Sequence, residues 1–388
     1  KKKVFTRNPY SQWVRENQIN LEDLSSRKKI LAADKSSLRM RQIFFGYTTE
    51  DIKFIISSMV AQGEEPTGSM GNDTPLAVLS HRPQLLFHYF KQLFAQVTNP
   101  AIDSIREELV MSMSINLGKE QNLLAESPMH CQKLKLTHPI LTIEEIDKIK
   151  SLDQQNLKSV VHSTIFPVSE KSGALKKAME GLCSEVSKSI ENGATIIVLS
   201  DRGVDNANAA IPSLLAVSGV HHHLLRNKTR TKVGIVIESG EPREMMHFAL
   251  LIGYGAGAVY PYLAYETVAQ IAEEGVFIQK LEAETAIANF IKATRKGLFK
   301  IIAKMGISTI QSYRGAQVFE VVGLNENVVD LYFTGTPSRI SGAKLDILAK
   351  EVLTRHKKGF GKEVASILEL GGHYHWRRGE EKHMLNPN

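Results

Sequence analysis

Hydrophobic and polar positions change their spacing along the chain, and the change falls near residues 137–160. Beyond it, short apolar runs alternate with long amphipathic segments, which is typical of βα units on a parallel sheet. Strands are predicted at 160–166, 195–200, 233–238, 257–261 and 307–311. The pattern therefore predicts an α/β fold, either an incomplete (β/α) barrel or an open sheet.

Two of the segments between the predicted strands carry helix-end signals. The amphipathic stretch at 174–193 ends in Asn192-Gly193, which is typical of a helix C-terminus because glycine tolerates a left-handed backbone. The stretch at 241–255 has Pro242 near its start, which predicts a proline in the first helical turn. Further amphipathic helices are predicted at 284–306 and 343–360.

The part of the chain before residue 150 is less regular and is predicted to be mainly helical. At 48–63, Thr48 or Thr49 can cap a helix with an apolar face of isoleucine and methionine. The apolar run at 85–94 predicts a second, buried helix. The last segment shows no periodicity, so we expect no core packing from it and expect the chain to continue into another domain. The predicted units are 1–150, 151–365 and 366–388.

Composition narrows the classes of function. With 43% hydrophobic and 23% charged residues, the chain can bury a large core. No apolar run approaches the roughly 18 residues of a membrane span, and the first residues lack the apolar stretch of a signal peptide. The net charge of +7 comes from scattered basic residues, so neither nucleic acid nor a membrane is an expected partner. Cys131 and Cys183 lack metal-ligand spacing, which favours free buried thiols in a reducing compartment.

Carboxylates follow two of the predicted strands, where (β/α) enzymes place catalytic groups. They are Asp201, Asp205, Glu238 and Glu241. One interpretation gives these side chains acid-base roles. The other makes them helix caps and ion-pair partners of Arg202 and Arg243, and it is favoured because the nearby sequence offers no nucleophile or base.

Two further motifs suggest a metal site and a phosphate site, but the expected geometry of each motif argues against that site. His221, His222 and His223 are consecutive, and on a helix their side chains point about 100° apart, so they cannot converge on one metal ion. GYGAGA at 253–258 resembles a phosphate-binding glycine loop, but it follows a helix and precedes a strand, the reverse of the dinucleotide fingerprint. We therefore predict neither a metal site nor a cofactor site from these motifs.

Two loops concentrate polar groups without obvious packing partners. GSMGNDTP at 68–75 is costly to keep ordered unless something is bound or packed there, so it is the preferred functional loop. The alternative is a capping turn in which Asn72 and Asp73 bond their own backbone. YFTGTPSRISG at 332–342 is similar in character, with Arg339 as a candidate anion or interdomain contact and structural packing as its alternative.

Several long motifs, in the same order, resemble the large subunit of the glutamate synthase family. The resemblance covers essentially the whole chain, which makes it more specific than any single glycine pattern. The motifs are NPYSQW at 8–13, GEEPTGSMGNDTPLAVLS at 63–80, LSDRGVD at 199–205, ESGEPRE at 238–244, KMGISTIQSYRGAQVFEVVGL at 304–324, YFTGTPSRISG at 332–342 and GGHYHWRRGEEKHMLNP at 371–387.

The resemblance implies an enzyme that takes ammonia from glutamine, passes it through an internal tunnel and adds it to 2-oxoglutarate, with electrons delivered through FMN and an iron-sulfur cluster. Two glutamates result. The implied order is an amidotransferase domain, a central domain, an FMN-binding (β/α) barrel and a β-helix. This chain then spans the central domain, an incomplete, rudimentary (β/α) barrel with an N-terminal mainly helical subregion, and the start of the FMN-binding domain at 366–388.

Departures from a whole enzyme limit what the chain is expected to do alone. Residue 1 is Lys rather than the cysteine nucleophile, and two cysteines are too few for a three-iron cluster. We therefore predict no catalytic, cofactor-binding or metal-binding residue in this segment. The implied partners are the amidotransferase and FMN-binding domains of the same polypeptide, and ferredoxin or a small NAD(P)H-dependent subunit for the whole enzyme. The implied location is the bacterial cytoplasm or the plastid stroma.

A conduit role is the hypothesis for this segment, because ammonia must cross between active sites as the neutral molecule, past small, uncharged and firmly held groups. The tunnel or interdomain candidates are Gly46, Tyr47, Thr48, Ser69, Gly71, Asn72, Asp73 and Thr74. Two alternatives stay open. One is a free-standing (β/α) enzyme that uses Asp201, Glu238 and Glu241, and the other is an interaction scaffold without a conduit.

Overall fold

The computed structural model describes residues 6–25, 35–68, 73–93, 99–154, 156–168, 173–362, 364–365 and 367–386. A π-helical segment, Asp51–Ile56, runs directly into helix α3. The helices are α1 (Tyr10–Asn17), α2 (Lys35–Phe44), α3 (Ser57–Gln62), α4 (Ile143–Lys150), α5 (Ala174–Glu191), α6 (Ser213–Arg226), α7 (Met245–Gly253), α8 (Tyr262–Glu274), α9 (Ala283–Lys304), α10 (Ile310–Tyr313), α11 (Glu326–Tyr332) and α12 (Leu345–Phe360). The strands are β1 (Ile19–Asn20), β2 (Phe90–Gln92), β3 (Ile115–Leu117), β4 (Leu134–Leu136), β5 (Asp153–Gln154), β6 (Leu157–Ser163), β7 (Ile165–Pro167), β8 (Ile196–Ser200), β9 (Asn208–Ala210), β10 (Gly234–Glu238), β11 (Ala258–Tyr260) and β12 (Phe319–Val321).

The main sheet has the strand order β11-β10-β8-β6-β5, and β6, β8, β10 and β11 are parallel. Helices α5, α6 and α7 connect these parallel strands in turn. Every residue of β8 and β10 is buried, as expected for central strands covered on both faces. The predicted α/β class and the strands near 160, 195, 233 and 257 are confirmed. The sheet is open among the described residues, and a barrel-like arrangement is not confirmed.

The predicted strand at 307–311 is wrong. Thr309 forms only an isolated bridge with Ser112, and the chain then turns into α10. The edge of the main sheet beside β11 is already occupied, because Val259 N donates to Pro139 O and Leu141 N donates to Val259 O. A strand at 307–311 would therefore have no free edge at β11 with which to pair.

The buried helix predicted at 85–94 is also wrong. Residues Leu86–Tyr89 form a 3-10 turn, and β2 follows and pairs antiparallel with β12. Burial is as expected, since Phe87, Tyr89 and Phe90 are 1–2% exposed. A short apolar run does not distinguish a helix from a buried strand, so only the burial was predictable here.

Two helix-end predictions have different outcomes. Asn192 and Gly193 end α5 as predicted, with Gly193 at φ +87° and its N–H bonded to Ile190 O. Pro242 does not lie in the first turn of a helix, because α7 begins only at Met245. Residues 239–244 instead form a loop at the end of β10 that carries much of the site described below.

Helix α12 packs closely along α2. Gly359 makes this approach feasible, since a Cβ atom there would lie 2.6 Å from Met40 O. The packing brings the C-terminal half of α12 beside the turn at 44–48. No helix within the described residues is both long and apolar enough to cross a bilayer.

Candidate functional site

Arg243 joins the loop after β10 to the turn at 44–48. Its side chain is 2% exposed, and Nε donates to Asp51 Oδ2 at 3.0 Å. Nη1 donates to Phe45 O and Glu241 O at 3.1 Å each, and Nη2 donates to Gly46 O at 2.7 Å. Because the buried guanidinium has both a carboxylate and carbonyl acceptors, it holds the two segments in a defined arrangement.

Tyr47 is a buried part of the same cluster. The Arg243 guanidinium lies 4.3 Å from the centre of the Tyr47 ring, and the hydroxyl donates to Gly240 O at 3.2 Å. Burial raises the pKa of Tyr47, so the phenol stays neutral. Gly240 must be small, because a Cβ atom there would lie 2.5 Å from the Phe45 ring.

The candidate Thr48 caps the helical segment that leads into α3. Asp51 N donates to Thr48 Oγ1 at 3.1 Å, and Thr48 N donates to Asp51 Oδ2 at 3.0 Å. This reciprocal pair confirms the predicted cap at Thr48. The same Asp51 carboxylate also pairs with Arg243, so the helix start and the strand-end loop share one anion.

The segment 367–386 packs against the N-terminal part of the chain, contrary to the expectation of no core packing. The Glu50 carboxylate is buried and accepts backbone N–H bonds from four consecutive residues, at 2.7–3.1 Å. These residues are Gly372, His373, Tyr374 and His375. Leu368 is 5% exposed and belongs to the hydrophobic core. Glycine-rich composition hid this packing, because the anchoring groups are backbone amides.

The candidates Asp73 and Thr74 contact the same C-terminal segment. Thr74 Oγ1 donates to His373 O at 2.6 Å. Asp73 Oδ1 lies 2.7 Å from His383 Nδ1, and Asp73 Oδ2 accepts from Leu385 N at 3.1 Å. Asp73 therefore bonds to a distant segment, which differs from the local capping turn. Ser69, Gly71 and Asn72 lie outside the described residues.

A cavity of about 300 Å³ lies where these segments meet. Its wall includes the candidates Gly46, Tyr47 and Thr48, together with Gly371 and His373. The other lining residues are Ile43, Arg82, Pro83, Gln84, Leu85, His88, Arg355, Lys358, Ala365, Ile367, Glu369 and Glu381. We take this cavity as the candidate site, because it is concave and combines apolar walls with a few convergent polar groups.

Two imidazoles that line the cavity, His88 and His373, and the imidazole of His247 next to His88 are held neutral. The rings of His88 and His373 stack at 4.8 Å, and His247 stacks on Phe87 at 4.2 Å. Burial lowers the pKa of His88, His247 and His373, and the Arg243 charge lowers the pKa of His88 and His247 further. These side chains therefore supply polar contacts without a charge at neutral pH.

The strand-end carboxylates are brought to one edge of the main sheet, but each is bonded to protein groups. Glu238 pairs with Lys150 at 2.5 Å and with Arg202 at 2.8 Å. Glu241 accepts from both N and Oγ of Ser213, the first residue of α6. Asp205 accepts from Ala207 N and Asn208 N within its own turn. These contacts agree with the ion-pair and capping interpretation.

Asp201 is the strand-end carboxylate with the most perturbed acidity. It is 1% exposed and accepts from Ser239 Oγ at 2.5 Å and from Gly240 N. Burial raises its pKa to about 7, against an unfolded value of about 3.9. The contribution of Asp201 to stability is then fully present below pH 4 and is lost as the pH rises to about 7.

Asp201→Asn is expected to remove this pH dependence. The unfolding free energy of the variant minus that of the parent chain should therefore be about 3 kcal/mol larger at pH 8 than at pH 4.5, because only the parent loses stability over this range. Urea unfolding at both pH values measures the difference, and Asp205→Asn, in an exposed turn, is the control. An equal effect of Asp201→Asn at both pH values would contradict a raised pKa.

The remaining motifs have structural roles. His221 Nδ1 accepts from Arg230 Nε, His222 Nδ1 bonds to Ser218 O, and His223 Nε2 bonds to Ser187 Oγ, so each ring is bonded to a different protein group. Arg339 pairs with Glu320 at 3.3 Å.

The glycine motif 253–258 does not fit a phosphate. Cβ atoms at Gly255 and Gly257 would lie 2.4 Å from His221 and Leu117 side-chain atoms, so side chains fill the space. The cysteines do not fit a cluster either, since Cys131 and Cys183 are both free and burial raises the pKa of Cys183 to about 11. We derive no chemical step through FMN or an iron-sulfur cluster on the described residues.

Sequence reasoning missed Glu50, His88, Arg243 as a central link, and Arg355. The role of each of these residues depends on a partner that is distant in the sequence, and no local sequence pattern identifies it. The one available signal was the excess of glycine and histidine in GGHYHWRRGEEKH, which indicated a special segment without showing what it contacts.

Comparisons with known proteins agree with the motif order. Residues 40–325 match the family of the glutamate synthase central domain. The chain is 43% identical over 388 residues to the large chain of glutamate synthase (NADPH) from Bacillus subtilis (strain 168), covering 100% of this chain and 25% of that protein. It is 42% identical over 398 residues to the chloroplastic ferredoxin-dependent glutamate synthase of Oryza sativa subsp. japonica, covering 100% and 24%. It is 38% identical over 409 residues to glutamate synthase (NADH) of Saccharomyces cerevisiae, covering 100% and 19%.

The chain thus spans about a quarter or less of the length of these relatives. Among solved structures, flavocytochrome b2 with sulfite bound aligns with 55% of this chain and 44% of its own, at 15% identity and a TM-score of 0.32, which is too low to carry an argument. The family match covers the whole main sheet, the turn at 44–48 and the loop after β10. This chain therefore belongs to the glutamate synthase central domain family.

Proposed function

We propose that this chain is the central segment of a glutamate synthase, an enzyme that forms two L-glutamate from L-glutamine and 2-oxoglutarate. Support comes from 38–43% identity to glutamate synthases over the whole chain. Glu238 is in ion pairs, Glu241 bonds to the start of α6, and Asp201 is buried and bonded to Ser239 and Gly240, so a free-standing (β/α) enzyme is not favoured. In this proposal the segment is inactive alone and links an amidotransferase domain to an FMN-binding domain with its iron-sulfur cluster.

The proposed role of the segment is to hold the two neighbouring domains and to form part of the ammonia conduit. The observation that carries this role is the cavity between the turn at 44–48 and residues 371–373, which is lined by the two neutral imidazoles of His88 and His373. Neutral ammonia needs polar contacts that do not protonate it, and a charged wall would favour the ammonium ion. Arg82, Lys358 and Glu369 are charged, but they pair with acidic or basic neighbours. Arg355 also lines the cavity without an ion-pair partner among the described residues, and a cation there disfavours ammonium rather than neutral ammonia.

The conduit is tested in the complete polypeptide. Tyr47→Ala opens the wall behind the cavity, and Thr74→Val removes the hydrogen bond to His373 O. Each change should let ammonia escape, so that the glutamate formed per glutamine consumed falls from two toward one, the single glutamate left by hydrolysis alone, and free ammonia rises, by several-fold in Tyr47→Ala. The measurement is the ratio of glutamine consumed to glutamate formed, together with free ammonia.

Tyr10→Phe is the matched control, because the Tyr10 hydroxyl bonds to Glu126 away from the cavity. Its ratio should equal that of the parent enzyme. Unchanged coupling in both Tyr47→Ala and Thr74→Val would remove the conduit hypothesis and leave the interaction scaffold as the role of the segment.

The electron donor and compartment follow only from the relatives. Names of the similar proteins include ferredoxin-dependent, NADH and NADPH forms, and several are chloroplastic. We propose ferredoxin or a small NAD(P)H-dependent subunit as the partner of the complete enzyme, in the bacterial cytoplasm or the plastid stroma. Reduction of the purified enzyme by each donor in turn, followed by flavin absorbance, separates the two partners.

A further inference from the structure

Arg355 is a buried cation whose hydrogen-bond donors are only partly satisfied. It lies on α12, is 5% exposed and lines the cavity. Nη1 donates to Gln84 O at 2.5 Å, whereas Nε is buried without a hydrogen-bond partner among the described residues. A guanidinium has five N–H donors and stays charged, so leaving donors unused in a buried position is unfavourable unless an anion completes them.

The other cations of the cavity wall differ from Arg355 in this respect. Arg82 pairs with Glu380 and lies 3.7 Å from Glu369, and Lys358 pairs with Glu369 at 2.6 Å. Within the described part of the chain, no carboxylate lies within ion-pair distance of Arg355. Glu241 and Glu351 interact with the Arg355 charge from beyond that distance, so the cavity presents one cation that has no direct ion-pair partner among the described residues.

The rest of the wall matches a small organic molecule. Ile43, Leu85 and Pro83 give an apolar side, and the stacked rings of His88 and His373 give a neutral polar side. A volume of about 300 Å³ is at the low end for ligand sites, which suits a compound of a few carbon atoms.

We propose that Arg355 binds the carboxylate of a small organic acid in this cavity. The planar guanidinium matches a carboxylate with two parallel hydrogen bonds, and the apolar wall covers the carbon skeleton. Glu369 and Glu381 also line the cavity and repel multiply charged anions, which favours a carboxylate over phosphate. The inference does not depend on the conduit.

Calorimetric titration of the 388-residue chain tests the site directly. The probes are acetate, succinate, L-glutamate and inorganic phosphate, each added at constant ionic strength against chloride. At least one carboxylate is expected to bind at millimolar or lower concentration, and phosphate at least tenfold more weakly. Absence of binding by all three carboxylates up to 10 mM, or tighter binding of phosphate, would overturn the proposal.

Variants locate the binding. Arg355→Gln should weaken carboxylate binding at least tenfold, and Arg106→Gln, on an arginine with a 90% exposed side chain, should leave it unchanged. If Arg355→Gln does not fold, Lys358→Glu decides, because Lys358 is partly exposed and a reversed charge at the wall should weaken binding several-fold. Binding that is unchanged in Arg355→Gln, or in Lys358→Glu where only that variant folds, would place the anion elsewhere and reject the site.

Discussion

Replacing Arg243 with methionine is expected to lower the free energy of unfolding by about 3–5 kcal/mol. Methionine keeps the length and apolar volume of the side chain, so the loss comes from polar groups left without partners. Asp51 would be a buried carboxylate without its cation, and the carbonyls of Phe45 and Gly46 would each lose a donor. Breaking one side of a buried pair is costly because the remaining charge stays out of water.

Urea unfolding of the chain at pH 7 measures this loss. Arg106→Met is the control, since a surface ion pair contributes about 0–1 kcal/mol. Adding Asp51→Asn to Arg243→Met should recover part of the stability, because the unpaired carboxylate is then neutral. A loss below about 1 kcal/mol for Arg243→Met would show that the contacts of Arg243 are not what joins the turn at 44–48 to the strand-end loop.

Glu50→Ala is expected to release the segment 367–386 from the rest of the chain. One buried carboxylate accepts four backbone N–H groups, so its removal leaves four donors that only water can satisfy. We expect the docking of this segment to weaken by about 2–3 kcal/mol, with little change in the main sheet.

Hydrogen exchange measured by mass spectrometry follows the release. Amides of residues 372–375 should exchange more than tenfold faster in Glu50→Ala, while amides of β8 and β10 keep their protection. Glu64→Ala is the control, because Glu64 is exposed and pairs with Lys296 on the surface. Equal exchange of residues 372–375 in Glu50→Ala and the parent chain would show that other contacts hold the segment.

The parallel strands were predictable, whereas the first part of the chain was less so. Continuous apolar runs such as IIVLS and GIVIE have few alternatives to a strand buried on both faces. The run at 85–94 has the same hydrophobicity, but its 3-10 turn and β2 depend on a pairing with β12 more than 200 residues later. The strand predicted at 307–311 failed for a related reason, since residues 139–141 occupy the sheet edge beside β11.

The sequence identified the segments that form the candidate site, but it did not predict how their side chains come together. Motifs around Tyr47, Thr74 and Glu241 were identified as special, and all three lie in or beside the Arg243 cluster or the cavity wall. The residues that give the cavity its chemistry, His88, His373 and Arg355, were not identified. Their neutral rings and the unpaired Nε result from burial, which a single sequence does not show at isolated positions.

Local order along this chain was encoded in its residues: the βα alternation, the cap at Thr48 and the glycine end of α5 depend on neighbours within a few positions. The cavity, the Arg243 link and the Glu50 anchor depend on groups 190–325 residues apart. Such contacts form because the packed core brings distant polar groups into a place without water, where each must find a partner. Which partner it finds was therefore decided only by the tertiary structure.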